Sequence, residues 1–254
     1  MKSHHRRIAF LLPVFALLSC QETPVSSFQS QETTKLSQER VLVDESKQPT
    51  FFFLGSSVTY GATTNGKSFV ELIDEDLRCD VVKEAVSGTN LANTKTSSYV
   101  ARFQKAVDLK VEYEHFVIQL STNDATNNMD YGTVGEETDP ASFNTKTTAG
   151  AMEYLISYIR ENFIADITFY TNPYYNNARY EQLIGVLDQI KAKWGIHVLD
   201  YYRYQDMERL DEATLKGYMS DAIHPNANGY RWVADIMEEH LRSCYEASHR
   251  GLTI

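Results

Sequence analysis

Phe51-Phe52-Phe53-Leu54 sets four apolar residues in a row, and Gly55-Ser56-Ser57-Val58-Thr59-Tyr60-Gly61 follows at once. A strand with one face in water alternates apolar and polar residues. A parallel strand covered on both faces reads as a continuous apolar run. The stretch therefore predicts a strand buried inside a parallel sheet, followed by a sharp turn. Four other short runs share its character: Val81–Val86, His115–Leu120, Asp166–Thr171 and Ile196–Asp200. Between them, Ser68–Leu77, Ser97–Leu109, Thr145–Phe163 and Asn177–Trp194 carry apolar residues at helical spacing. A last helix is expected from Asn226 to about Tyr245, with Trp232, Val233, Ile236, Met237 and Leu241 on one face. Strands alternating with helices predict an α/β three-layer domain around a five-stranded parallel sheet, with right-handed crossovers.

The chain has 254 residues, of which 43% are hydrophobic, enough for one sizeable core and one domain. Its formal charge is −10, although Lys2, Arg6 and Arg7 add three positive charges at the very start. Such acidity argues against nucleic acid as a partner and against electrostatic docking on anionic lipid.

The N-terminus reads as a targeting segment. A basic start precedes the apolar run from Ile8 to Leu18, which is shorter than the ~20 residues a membrane span needs. Residues 1–19 are expected to be a signal peptide. Leu17-Leu18-Ser19-Cys20 resembles the bacterial lipobox, in which the cysteine is lipidated; the plainer alternative is a signal peptide with an incidental cysteine. Residues 20–48 are rich in Gln, Ser, Thr and Glu and read as a disordered tether. A flexible chain of that length reaches about 30 Å. The folded domain is expected over 49–254, in a protein exported and anchored at the cell membrane.

In open parallel sheets, ligands sit beyond the C-terminal ends of the strands. Ser57 follows the first run; on its own it is as readily a turn or helix-capping serine. Gly88 follows the second, where a glycine lets backbone approach a ligand. Asn123 follows the third, where its amide could meet a developing oxyanion or simply form an Asx turn. His224 lies three residues after Asp221, a spacing that can hold an imidazole in one tautomer. His115 and His197 fall in strands, His240 in the last helix and His249 in the tail, so His224 alone lies on a loop at that edge. Its plain alternative is a capping imidazole. There is no H-E-x-x-H and no Cys/His cluster, so a zinc site is not expected, nor is any other cofactor.

Taken together, Ser57, Gly88, Asn123 and Asp221-x-x-His224 resemble the SGNH (GDSL-type) hydrolase family. The resemblance runs over residues 51–243. Its blocks are Phe53-Leu54-Gly55-Ser56-Ser57, Ala85-Val86-Ser87-Gly88, Leu120-Ser121-Thr122-Asn123-Asp124 and Asp221-Ala222-Ile223-His224-Pro225. It implies a flavodoxin-like αβα sandwich. It also implies a serine esterase with Ser57, His224 and Asp221 as triad, and Ser57, Gly88 and Asn123 as oxyanion hole. Two positions depart from the family's pattern: Ser56 stands where Asp is usual and Ser121 where Gly is usual.

Tyr174 and Tyr175 follow the fourth run and Tyr201, Tyr202 and Tyr204 the fifth. Tyr174, Tyr175 and Tyr201 are the candidate substrate contacts, against the alternative of ordinary packing. The polar, acidic segment Ala125–Asn144 is either a wall or lid over the site or a solvated loop. No apolar segment reads as an acyl tunnel, which favours short acyl groups, acetyl above all, on a small molecule or a glycan. The competing readings are a lipase-like or thioesterase activity on longer chains, and a non-catalytic glycan-binding surface lipoprotein. Cys79 and Cys244 end helices expected on one face, so a bridge is conceivable, but two unpaired thiols are the favoured reading. Oligomeric state is not legible in the sequence.

Overall fold

The computed structural model describes residues 48–249. The expected signal peptide over 1–19, Cys20 and the part of the expected tether before Gln48 lie outside the described residues. Five strands form one sheet: β1 (Thr50–Gly55), β2 (Asp80–Ala85), β3 (Tyr113–Gln119), β4 (Asp166–Tyr170) and β5 (His197–Leu199). The order is β2-β1-β3-β4-β5 and every pairing is parallel, as the apolar runs predict. Each run is displaced from its strand by only one or two residues.

Among the described residues, eight α-helices connect or follow the strands. They are α1 (Ser57–Tyr60), α2 (Phe69–Leu77), α3 (Tyr99–Ala106), α4 (Thr122–Thr126), α5 (Thr148–Asn162), α6 (Ala178–Trp194), α7 (Glu212–Tyr218) and α8 (Ala227–His249). The short α1, α4 and α7 are absent from the apolar pattern because one or two turns hold too few periods to register. The starts of α2 and α6 are set by local chemistry. Ser68 and Glu71 form a capping box on α2, and Asn177 caps α6 by accepting from Tyr180 N.

Alternate residues of β1 face opposite layers, as strand geometry requires. Phe52 and Leu54 belong to a core with Tyr99, Phe103, Met152, Leu155 and Leu183, so α3, α5 and α6 cover that face. Phe51 and Phe53 belong to a second core with Phe69, Ile73, Val233, Met237 and Leu241, so α2 and α8 cover the other. All four β1 side chains are buried, each contributing roughly 1.5–3 kcal/mol by leaving water. Cys79 and Cys244 are free thiols, in agreement with the favoured reading.

The sheet order reverses between β1 and β3, and the crevice at such a switch point is where open α/β sheets bind ligands. Ser57 follows one of these strands and Asn123 the other.

Candidate active site

β1 ends at Gly55, and α1 starts two residues later. A Cβ at Gly55 would stand 1.7 Å from Thr59 Oγ1 and 2.9 Å from Gln119 Oε1, so only glycine permits this turn. Gln119, at the end of β3, supports it from below: its Oε1 accepts from Ser56 N at 2.8 Å and Thr59 Oγ1 at 2.9 Å. Ser56, at the position departing from the family pattern, is thus buried on an amide carbonyl. Ser57 is the first residue of α1, where a backbone N–H has no intrahelical acceptor.

His224 arrives from the loop between α7 and α8. Its Nε2 lies 2.8 Å from Ser57 Oγ, and its Nδ1 lies 2.8 Å and 3.0 Å from the two oxygens of Asp221. A carboxylate only accepts, so Nδ1 carries the proton and Nε2 presents its lone pair to Ser57. Such a chain can deprotonate a hydroxyl as it attacks a carbonyl carbon. Asp221 Oδ1 also accepts from the backbone of Ile223 and His224, at 2.8 Å each. Partial burial pushes its pKa up, but the two N–H groups and the imidazole outweigh this and hold the carboxyl below the usual carboxylate range.

The loop itself is tied down on several sides. Ser220 N donates to His224 O, Thr63 Oγ1 to Pro225 O, and Asn172 Nδ2 to Ile223 O at 3.0 Å. Gly229 lets α8 pass close to this loop, since a Cβ there would lie 2.1 Å from Tyr218 O.

Gly88 has φ +74°, a left-handed conformation that favours glycine, and space is open around it. Asn123 Nδ2 donates to Thr89 O at 3.2 Å, which leaves its second N–H for another acceptor. So the structure brings Asn123 beside the Gly88 loop, as it brings Ser57, His224 and Asp221 together.

Three supporting residues have no role in the sequence reading. Asp124 is fully buried and accepts from Leu91 N at 2.7 Å, Ala92 N at 3.0 Å and Thr148 Oγ1 at 2.9 Å. It ties the loops after β2 and β3 to the start of α5. Burial pushes its carboxyl up, against the hydrogen bonds it receives. Arg102 donates to Glu84 O and Gly55 O, both at 2.7 Å, and so clasps the ends of β2 and β1. Asn172 is the third. A polar or charged residue inside an apolar pattern, as at Arg102 and Gln119, is the signal that could have found such groups. We expect Asp124→Ala to lower unfolding free energy by about 3–6 kcal/mol, because three buried donors lose their acceptor. Urea denaturation checks this.

The tyrosines divide. Tyr174, 47% exposed, and the buried Tyr175 line a cavity of about 740 Å³ that also touches Asp221, Ala222, Tyr204 and Met219. Tyr201 does not belong there. It is fully buried, its hydroxyl donates to Val233 O at 3.0 Å and its ring meets Trp232 edge-on. It packs in the layer under α8, so its expected substrate contact is corrected to a core role. The segment Ala125–Asn144 is strapped to the helices beside it. Tyr131 OH donates to Arg179 O, Arg179 Nη2 to Met129 O, and Lys193 Nζ to Glu137 O. Most of it is exposed to solvent, while these bonds hold it against α6.

No curated protein matches the chain at a significant level. A protein from Lactobacillus plantarum shares the fold with TM-score 0.65 and 19% identity, over 78% of this chain and 98% of its own. A family two carbohydrate esterase from Clostridium thermocellum, solved with cellohexaose, superposes with TM-score 0.56 and 16% identity, over 78% of this chain and 64% of its own. A family two carbohydrate esterase from Cellvibrio japonicus gives TM-score 0.52 and 16% identity, over 78% and 62%. These similarities concern the fold. The sequence pattern of one family spans residues 53–232, most of the domain and all of the site: the chain belongs to the GDSL-like lipase/acylhydrolase family.

Proposed function

We propose that this protein is an exported serine esterase that removes short acyl groups, acetyl above all, from carbohydrate. Ser57, His224 and Asp221 form its triad, and Ser57 N, Gly88 N and Asn123 Nδ2 its oxyanion hole. The observation that carries the reading is the 2.8 Å contact from Ser57 Oγ to an imidazole whose other nitrogen is held by Asp221. Ser57 Oγ attacks the ester carbonyl while its proton passes to His224 Nε2. The three donors receive the oxyanion, each worth about 10²–10³ in kcat. The intermediate collapses as the leaving alcohol takes the proton from Nε2, which leaves acyl-Ser57. Water then attacks that ester and gives its proton to Nε2. The second collapse returns the proton to Ser57 and releases the carboxylic acid.

Two features support a carbohydrate acceptor. The exposed ring of Tyr174 borders a cavity that reaches Asp221, and Tyr175 and Tyr204 in its lining have buried hydroxyls without partners. Aromatic rings with nearby polar groups suit sugars. The solved carbohydrate esterases of the same fold point the same way. The signal segment and Cys20 support a lipid anchor, with residues 20–48 as tether.

The test is a series of p-nitrophenyl esters from acetate to octanoate, with acetate release from acetylated polysaccharides measured in parallel. We expect kcat/KM to fall by at least tenfold from acetate to octanoate, and acetate to be released. A maximum at the longer chains would make the protein a lipase-like or thioesterase-like enzyme instead. Fluorophosphonate labelling of Ser57 separates an enzyme from a glycan-binding protein.

A further inference from the structure

The edge of the sheet opposite the site gathers a second set of reactive side chains. β3, β4 and β5 begin there, and α8 passes over it with its C-terminal half. His115 pairs in register with Asp166, and Thr168 with His197. His240 and Cys244 sit four residues apart on α8, hence on one face. His197, His240 and Cys244 can each offer a ligand atom with all three atoms within 4.8 Å of one another, and so can His115, Asp166 and Cys244. None of these groups takes part in the proposed reaction.

We propose that His197, His240 and Cys244 bind a zinc-like divalent cation, with Asp166 beside them, and that the cation fastens α8 to the start of β5. Zinc takes thiolate at about 2.3 Å and imidazole at about 2.0–2.1 Å, so a tetrahedral angle places sulfur and nitrogen about 3.5 Å apart. Cys244 Sγ and His240 Nε2 are 3.6 Å apart. His197 Nε2 lies 3.9 Å from Asp166 Oδ1, and Ser248 Oγ holds the other Asp166 oxygen at 3.0 Å. A carboxylate oriented from outside thus stands next to the His197 ligand.

The softness of the set favours zinc over magnesium or calcium, which prefer oxygen ligands. The site has an entry path: a surface cavity of about 340 Å³ lined by Asp166, His197, His240, Cys244 and Ser248. The His197 side chain is 46% exposed. His240 Nε2 now meets Thr168 Oγ1 at 2.8 Å, and Thr168 Oγ1 also meets His115 Nε2 at 2.6 Å. On binding, His240 exchanges Thr168 for the cation while Thr168 keeps His115. Cys244 binds as thiolate and its proton goes to solvent, so one proton leaves per cation bound at this residue.

The test uses the full chain without a histidine tag, stripped with chelator, and needs no ester substrate. Zinc is titrated against a chromophoric chelator for the wild type, His197→Ala and Cys244→Ser. We expect the wild type to take up one equivalent more than the double variant, and each single variant to bind at least tenfold more weakly. Zinc should raise the melting temperature of the wild type and not of the double variant. Cobalt(II) should give a thiolate charge-transfer band that Cys244→Ser removes. Equal uptake by the wild type and the double variant would overturn the proposal, as would a cobalt band that survives Cys244→Ser. His197 is exposed, so His197→Ala keeps the fold and makes its result decisive.

Discussion

Ser57→Ala should lower kcat on p-nitrophenyl acetate by about 10⁴–10⁶-fold while leaving the fold intact. The side chain's one described hydrogen bond is to His224 Nε2, so its loss removes a reacting atom and little packing. Circular dichroism and the melting temperature should match the wild type, and fluorophosphonate labelling should vanish. His224→Ala should fall to a similar floor, and the double variant should be no worse than either single. Groups that act in one proton transfer are not additive. Undiminished turnover by Ser57→Ala would remove the proposed acyl-enzyme.

Asp221→Asn should cost on the order of 10⁴ in kcat, through the tautomer of its neighbour. Asp221 Oδ1 accepts the two backbone N–H groups, and Oδ2 faces His224 Nδ1 at 2.8 Å. An asparagine can keep the first role with its carbonyl. Its amide then faces Nδ1 as a donor, which makes Nδ1 the acceptor and puts the ring proton on Nε2. That nitrogen can no longer take a proton from Ser57. Loop geometry should therefore survive while turnover is lost. The paired measurement is kcat beside the melting temperature: a large fall in both would mean that Asp221 acts through loop stability instead.

The strands were legible because burial on both faces leaves an unbroken apolar run, as in Phe51–Leu54. The major helices were legible because α5 and α6 each show several periods. The candidate set of Ser57, Gly88, Asn123, Asp221 and His224 was assembled through strand order and family resemblance, and the structure brings Ser57, His224 and Asp221 into contact. What escaped depends on long-range contact. Tyr201 and Tyr174 each directly follow or nearly follow a strand, yet one is fully buried and the other 47% exposed. Tyr201 is enclosed between Tyr170 and α8, whereas Tyr174 rests on Tyr202 at the surface. Asp124 looks like any loop acid until three donors converge on it. His197, His240 and Cys244 share no motif because a strand and a helix bring them together, so the expectation of no Cys/His cluster missed them.

The proposed reacting pair, Ser57 and His224, is separated by 167 positions in the chain. The ribosome therefore finishes the nucleophile's turn long before it makes the base. A nascent or truncated chain ending before His224 carries a hydroxyl with nothing to activate it. Contacts of such long range also form late in folding. Under the proposed mechanism, hydrolysis begins only once His224 has met Ser57, so turnover reports that these distant segments have come together.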